Sequence, residues 1–578
     1  MHTFEVWAPR ANSVAVQLGP RIHPMSPRDD RGWWSASIDA AQPGDDYGFR
    51  IDKDPAPYPD PRSLWQPHGV HGLSRILDHN AYAWSDKNWQ PPSWPTAIIY
   101  ELHIGTFTAE GTYNAAIARL PYLRELGITH VELMPLNAFS GRWGWGYDGV
   151  ALFAPHAPYG TPDDLKHFVD SCHAEGLAVL LDVVYNHFGP DGNYTGLFGN
   201  YITDSHHTPW GGAINFEGAG STEVRRFFCD NALMWLRDYH FDGLRLDAVH
   251  SYVDRSATHF LEQLADEVDA LATQQHRSYT LIAESDLNDP RIVTPRSQHG
   301  YGIDAQWSDD FHHALFALLT GERQSYYADF GSLAQVAKSL TSAFVYDGQY
   351  SHFRQQNHGR PVGDLGGDHF LGYIQNHDQV GNRAHGDRIH TVAGVQKAKL
   401  AAAAVLTSPF IPMLFQGEEF AASSPFLYFA DHEDPQLRKA VTEGRKREHA
   451  HDRDWSTVPD PEAPETYQNS KLNWSELQQP EHAQMLHWYR QLIQVRQTQP
   501  SLQSGSLAAV HTRYDEHAKW LIIDREEIQM LFNFSDSPVT LDITAVKPLL
   551  LSDPKVDITD GAITLPPQSF AALQQRYA

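Results

Sequence analysis

Apolar and polar residues alternate in short runs at the start of the chain: Phe4, Val6 and Ala8, then Val14, Val16 and Leu18. Period two places successive side chains on opposite faces, as half-buried strands require. Trp33 and Trp34, then Tyr47 to Ile51, continue the pattern between turn signals such as Pro43-Gly44. A small antiparallel β-sandwich is expected over residues 1–90. A stretch carrying Pro55, Pro57, Pro59, Pro61 and Pro67 follows. It can form neither a helix nor a central strand, and it reads as a stiff connector.

From about residue 96 the pattern becomes strand, loop, helix, repeated. Apolar runs of strand length lie at Ala97 to Ile104, His130 to Pro135, Leu177 to Val184, Gly243 to Ala248, Thr280 to Ala283, Phe370 to Ile374 and Phe410 to Phe415, with an eighth near Ala305 to Trp307. The clearest helix starts at Thr161, with Pro162 in its first position and Thr161 and Asp164 at capping-box spacing. Leu165, Phe168, Val169 and Cys172 then fall on one face, and Gly176 ends it. Buried strands alternating with amphipathic helices mean a parallel sheet, and eight of them an α/β (β/α)₈ TIM-type barrel over residues 91–498, closed by the helix around Met485 to Val495. An insertion at about 188–220 is rich in Gly, Asn and His, lacks periodicity, and is long enough to be functional. After Ser501 short alternating strands return (Trp520 to Ile523, Met530 to Phe534, Val539 to Ile543), giving a C-terminal β-sandwich over 499–578.

Composition narrows the partners. Among 578 residues, 44 Lys and Arg against 71 Asp and Glu leave a net charge of -27, which excludes nucleic acid as a main partner. Apolar residues at 41 % exclude disorder as the overall state. The 33 His and 16 Trp suggest flat, hydroxyl-rich ligands such as sugars. Two cysteines, Cys172 and Cys229, both in apolar helical patterns, read as buried thiols. The N-terminus carries no basic stretch leading into an apolar run, and no segment approaches ~18 consecutive apolar residues. A soluble, cytoplasmic chain without membrane association is expected.

In a parallel barrel, residues just past the C-terminal ends of the strands converge on one rim, where the chemistry is done. One strand runs into Asp182, Tyr185, Asn186 and His187; the next carries Asp242 at its start and Arg245, Asp247 and His250 at its end. Two more end in Glu284-Ser-Asp286 and in Gln375-Asn-His-Asp378. Arg245 and Asp247 are two apart and share a face, so the guanidinium is expected to lower the Asp247 pKa and keep it an ionised nucleophile. Glu284, partly desolvated, is expected to have a raised pKa and to serve as an acid. Two carboxyls of opposed behaviour are what glycoside hydrolysis needs. His187 and His377 can donate to sugar hydroxyls and Asp378 can accept from them. Asp182 reads equally well as a structural acceptor, and Asp242 as shaping the turn into its strand.

At these residues the chain resembles the α-amylase superfamily of glycoside hydrolases: Asp182-Val-Val-Tyr-Asn-His187, Gly243-Leu-Arg-Leu-Asp247, Glu284 and Asn376-His-Asp378 match its four signature segments in order. The resemblance implies a retaining mechanism with Asp247 as nucleophile, Glu284 as general acid/base and Asp378 fixing the distorted sugar. Arg245, His187 and His377 would hold the reactive ring, and Tyr147 and Asp148, in Trp145-Gly-Tyr-Asp-Gly149, would form an aromatic platform and its hydrogen-bonding neighbour. A narrower set is similar to the malto-oligosyltrehalose trehalohydrolases: Pro59-Asp-Pro-Arg-Ser-Leu-Trp-Gln-Pro67 with Gly69-Val-His-Gly72, Asn186 to Asn193, Thr208 to Asn215, Glu284 to Asp289 and Gln306 to His313. That family hydrolyses the α-1,4 bond next to the terminal trehalose of maltooligosyl trehalose, acting after a maltooligosyl trehalose synthase. It implies an N-terminal sandwich of the immunoglobulin-like, carbohydrate-binding kind. Contacts to the trehalosyl end are expected from Trp210, His250, Gln306, Trp307 and Asp309, with Gln379 also in the substrate-binding set. No cofactor and no metal ligand are expected, although Asn186 is weak support for calcium. The rivals are a glycogen branching enzyme-like α-glucan transferase, sharing domain plan and triad, and a glycan-binding protein on a decayed barrel, which would have lost one of Asp247, Glu284 and Asp378.

Overall fold

A computed structural model of the chain describes residues 1–449, 455–543, 546–559 and 561–575. Eight parallel strands close into a barrel: Ile99–Leu102, His130–Leu133, Ala178–Val183, Gly243–Leu246, Thr280–Ala283, Ala305–Trp307, Phe370–Gly372 and Ile411–Phe415, each paired with the next and the last with the first. All eight are the expected ones: Thr280–Ala283 and Ala305–Trp307 have the expected bounds, and the other six are shorter than expected. Period two sorts each strand. Ile99, Leu180, Ile282, Ala305, Trp307, Leu371 and Met413 pack together inside the barrel, while Leu102, Leu133, Leu181, Leu244 and Leu246 face the helical layer. The helix Pro162–Ala174 starts on the expected capping box, with Thr161 and Asp164 each bonding the other's backbone N–H. Gly176, at φ +79°, follows it in the left-handed region that glycine adopts without strain. The helix Pro480–Thr498 packs against the helix Val395–Thr407 of the outer ring.

The bottom of the barrel is fixed by Asp242 at the N-terminal end of the fourth strand. Its carboxylate accepts from Trp89 Nε1 (2.8 Å), Val179 N (2.8 Å) and Arg277 Nη2 (2.8 Å), and lies 3.0 Å from His173 Nε2. Acids at this end serve stability rather than chemistry.

The N-terminal unit is two facing sheets around Phe4, Val6, Val16, Tyr47 and Phe49. The Pro-rich stretch, expected as a stiff connector, is paired into the N-terminal unit. Tyr58 exchanges two 2.8 Å backbone bonds with Phe49, and Ser74–Arg75 adds an edge strand beside Asp46–Ile51. Asp60 accepts from Tyr47 Oη (2.7 Å), and Gln66 from Ser63 Oγ (2.8 Å). Proline removes donors but leaves the intervening residues free to pair. The unit docks on the barrel through Trp33 Nε1 to Glu223 (2.8 Å) and Arg62 to Asp230 (2.7 Å).

The aperiodic insertion contains a short helix, Thr195–Phe198, and an antiparallel hairpin, Ile202–Thr208 with Gly211–Ile214. Its first strand shows no alternation because it lies largely in solvent and buries neither face. At the C-terminal end a five-stranded and a three-stranded sheet enclose Ile522, Leu531, Leu541, Ile563 and Leu573. The expected end of this unit, 576–578, lies outside the described residues. Cys172 and Cys229 are buried free thiols.

Candidate active site

The same alternation that fills the barrel with Leu180, Ile282 and Trp307 brings polar side chains inward at its C-terminal end. Glu101, Glu132, Asp182 and Arg245 sit on neighbouring strands in adjoining registers (Glu101 opposite Glu132, Asp182 opposite Arg245). Asp247 and Glu284 lie just past their strands. Arg245, fully buried, is the hub. Its Nη1 donates to Asp182 Oδ2 at 2.7 Å and to Asp247 Oδ1 at 2.8 Å, while Nη2 lies 2.9 Å from Glu284 Oε2. Trp307 packs against the guanidinium, 4.3 Å from ring centroid to Cζ. One guanidinium thus gathers two carboxylates on its two terminal nitrogens, the pair of acids that glycoside hydrolysis requires.

The turn after Asp247 completes the arrangement. Ala248 takes φ +43°, a left-handed conformation costly for alanine. There its N–H donates to Glu284 Oε2 at 2.9 Å, and the N–H of Val249 donates to the Glu284 carbonyl at 3.0 Å. The Ala248 hydrogen bond and the Arg245 ion pair both meet Glu284 at Oε2, which leaves Oε1 for proton transfer. Asp247 is likewise held through Oδ1, leaving Oδ2 to attack.

Asp378 arrives from the seventh strand. Asn376 caps the short helix His377–Gly381 by accepting from Asp378 N (2.9 Å) and Gln379 N (3.1 Å). His377 Nε2 lies 2.7 Å from Tyr147 Oη and 3.5 Å from Asp378 Oδ2, and its Nδ1 pairs with Glu101. Tyr147 Oη also donates to Asp182 Oδ2 at 2.6 Å, so Asp182 is a structural acceptor for both Arg245 and Tyr147.

Electrostatics modify one expectation. Burial pushes the Glu284 carboxyl up, with Arg245 pulling it back. Burial pushes Asp247 up as well, and the Arg245 guanidinium opposes that rise without reversing it. One guanidinium touching both acids at nearly equal distance cannot set their pKa values apart, so the expected lowering of Asp247 is corrected. The two titrate as a pair. Burial also disfavours charge on His377, but Asp378 and Glu101 outweigh it and raise its pKa to about 9. Asp309 is pushed by burial up to about 8, against the hydroxyl of Tyr373 bonded to it, and is therefore a neutral acid able to donate to a sugar oxygen.

These groups open onto one cleft of about 490 Å³. Asp247, Glu284 and Asp378 line it together with Tyr147, Asp148, His187, Trp210, His250, Trp307, Asp309, His377 and Gln379. Trp210, at the tip of the insertion hairpin, stacks on His187 with centroids 5.5 Å apart. Arg245 lies beneath the floor rather than on the wall. Gln306 does not reach the cleft: its neighbours Ala305 and Trp307 face inward, so Gln306 faces the helices, fully buried, and its amide donates to the Asp289 carbonyl at 3.5 Å. Its expected contact with substrate is withdrawn.

Wall residues absent from the expected set include Tyr326, Arg354, Tyr428 and Phe429, of which Arg354 pairs at 3.2 Å with Asp286, the acid already read at the end of the fifth strand. These four lie in segments that carry no motif. Glu101 and Glu132 did carry a signal, as lone acids inside apolar strands. Among the described residues no group of three or more His, Cys, Asp or Glu side chains is placed to hold a metal ion, and no helix is long and apolar enough to cross a membrane.

Comparison with known proteins agrees with this geometry. Residues 79–202 match the alpha amylase catalytic domain, 1–61 carbohydrate-binding module 48 (isoamylase N-terminal domain), and 505–571 a domain of unknown function, DUF3459. The chain is 46 % identical to the malto-oligosyltrehalose trehalohydrolase of Rhizobium sp. (strain M-11), covering 99 % of this chain and 97 % of that one. It is 47 % identical to that of Arthrobacter ramosus, over 94 % and 93 %. The crystal structure of a putative alpha amylase from Salmonella typhimurium superposes with a TM-score of 0.92 at 39 % identity, over 99 % and 97 % of the two chains. With the triad in one cleft and relatives of this identity matching from end to end, the chain belongs to the malto-oligosyltrehalose trehalohydrolase family of α-amylase-type glycoside hydrolases.

Proposed function

We propose that the protein cleaves the α-1,4 bond next to the terminal trehalose of maltooligosyl trehalose, releasing trehalose with retention at the anomeric carbon. The observation that carries this is the Arg245 fork, which holds Asp247 at 2.8 Å and Glu284 at 2.9 Å beside Asp378 in a single cleft. Glu284 protonates the bridging oxygen as Asp247 Oδ2 forms a bond to the anomeric carbon of the maltooligosyl part. Trehalose leaves with the proton. The ionised Glu284 then takes a proton from water, whose oxygen displaces Asp247 and frees the glucan. The first step leaves Glu284 ionised and Asp247 esterified, and the second restores both acids together.

Specificity for the capped end is supported by the full-length relatives, which carry that activity in their names. The neutral Asp309, Trp307 and the Trp210–His187 stack are the groups we assign to recognition of the trehalosyl unit. A maltooligosyl trehalose synthase supplies the substrate in the same pathway, in the cytoplasm. Chain-end analysis on trehalose-capped and uncapped maltodextrins tests the reading: capped chains should yield free trehalose far faster than uncapped ones are cut. New α-1,6 linkages formed from amylose would instead make the protein a branching transferase.

A further inference from the structure

Behind the cleft wall lies a relay of charged side chains outside the Arg245 cluster. Asp148 lines the cleft with 39 % of its side chain exposed, and its Oδ2 lies 3.6 Å from His432 Nε2. The other nitrogen of that ring, Nδ1, is 2.7 Å from Glu462 Oε1, and the backbone N–H of His432 donates to Glu462 Oε2 at 3.2 Å. Glu462 is in turn approached by Arg438 Nε at 3.5 Å. His432 and Glu462 are both buried and do not line the cleft. With Nδ1 and the backbone both turned to Glu462, the ring orientation is fixed and Nε2 is aimed at Asp148.

An isolated imidazole in this position would be neutral. Burial does lower the His432 pKa, but Asp148 and Glu462 outweigh it and raise it to about 9. The charged groups facing the ring are these two carboxylates, with Arg438 behind Glu462. A carboxylate on an open wall otherwise rotates freely, and a mobile acceptor loses much of its hydrogen-bond energy to ordering.

We propose that His432, oriented by Glu462, is a positioning residue that fixes the Asp148 carboxylate toward a hydroxyl of the bound glucan. The relay then governs affinity for the saccharide and leaves the bond-breaking step alone. It rests on the reading that the cleft binds maltooligosyl trehalose, and deepens that reading by naming what steers one of its wall residues.

Steady-state release of trehalose from maltotriosyl trehalose by the unsubstituted protein, H432Q, H432R, D148N and the D148N/H432Q double variant tests it. H432Q should raise KM by about tenfold while kcat stays within about threefold. D148N should raise KM as much, and the double variant no further than D148N alone, because His432 acts through Asp148. H432R, which keeps the cation, should recover most of the lost affinity. In the unsubstituted protein KM should climb as pH passes about 9, and H432Q should lack that rise. A normal KM in H432Q, a loss confined to kcat, or additive effects in the double variant would overturn the proposal. If H432Q does not fold, the unsubstituted protein decides alone: a KM flat across the same alkaline range overturns it. Whether that protein releases trehalose at all judges the underlying reading separately.

Discussion

Arg245 does the most work of any single residue, because it neutralises a cluster that could not otherwise be buried. Asp182, Asp247 and Glu284 all meet its two terminal nitrogens. Removing one partner of a buried ion pair leaves the others uncompensated, at a cost of about 3–5 kcal/mol. Arg245→Met should lower the unfolding free energy by about that amount in urea titrations and abolish activity. Glu284→Gln removes only the transferable proton. It should lower kcat by ~10³-fold or more with saccharide binding retained in calorimetry, and its pH profile should lose the alkaline limb set by loss of the Glu284 proton. At this scale the triad was legible in the sequence because strand ends of a parallel barrel share one rim. Gln306 shows the limit of motif matching: its segment resembles the family's, yet the period-two rule that places Ala305 and Trp307 inside turns Gln306 outward. The shared guanidinium was invisible for a related reason. Spacing tells that Arg245 and Asp247 lie on one face, but that Glu284 meets the other arm depends on strand pairing.

Among the elements, the insertion hairpin was the least legible, although its tip reaches the cleft. Its strand Ile202–Thr208 lies open to solvent, so no hydrophobic period marked it, yet it carries Trp210 to the cleft rim and against His187. Trp210 is 47 % exposed, so it contributes little to the core. Trp210→Ala should therefore leave the melting temperature within about 1 °C while raising KM for maltooligosyl trehalose roughly tenfold, the loss of one sugar-stacking face. The helix Pro162–Ala174 is the opposite case. Its capping box, proline and apolar stripe all announced it, and local sequence sufficed because every one of its signals is local. The Pro-rich stretch falls between: proline ruled out regular structure, but that Tyr58 folds back to pair with Phe49 of the preceding strand is an isolated bridge that no periodicity marks.

Across the whole molecule, buried titratable groups set a narrow window of stability. His103, His156 and His312 are held neutral by burial, with pKa values of about 3. The unfolded chain protonates such residues near 6.5, so stability is lost as pH falls below that value. Glu418 and Glu419 are pushed by burial to about 7, and His377 stays protonated to about 9 against burial because of Asp378 and Glu101. Groups with raised folded-state values lose stability as pH rises through them. The urea midpoint should peak near pH 6.5 and fall on both sides; a midpoint still rising at pH 9 would contradict the assignment. The barrel between two β-sandwiches brings three strand ends to one cleft, and the proposed order of events there can be watched directly. Proton NMR of maltotriosyl trehalose during the first minutes of digestion should show free trehalose together with maltotriose whose new reducing end appears first as the α anomer. The β anomer appearing first, or no trehalose at all, would contradict the assignment of Asp247 as a covalent nucleophile beside Glu284.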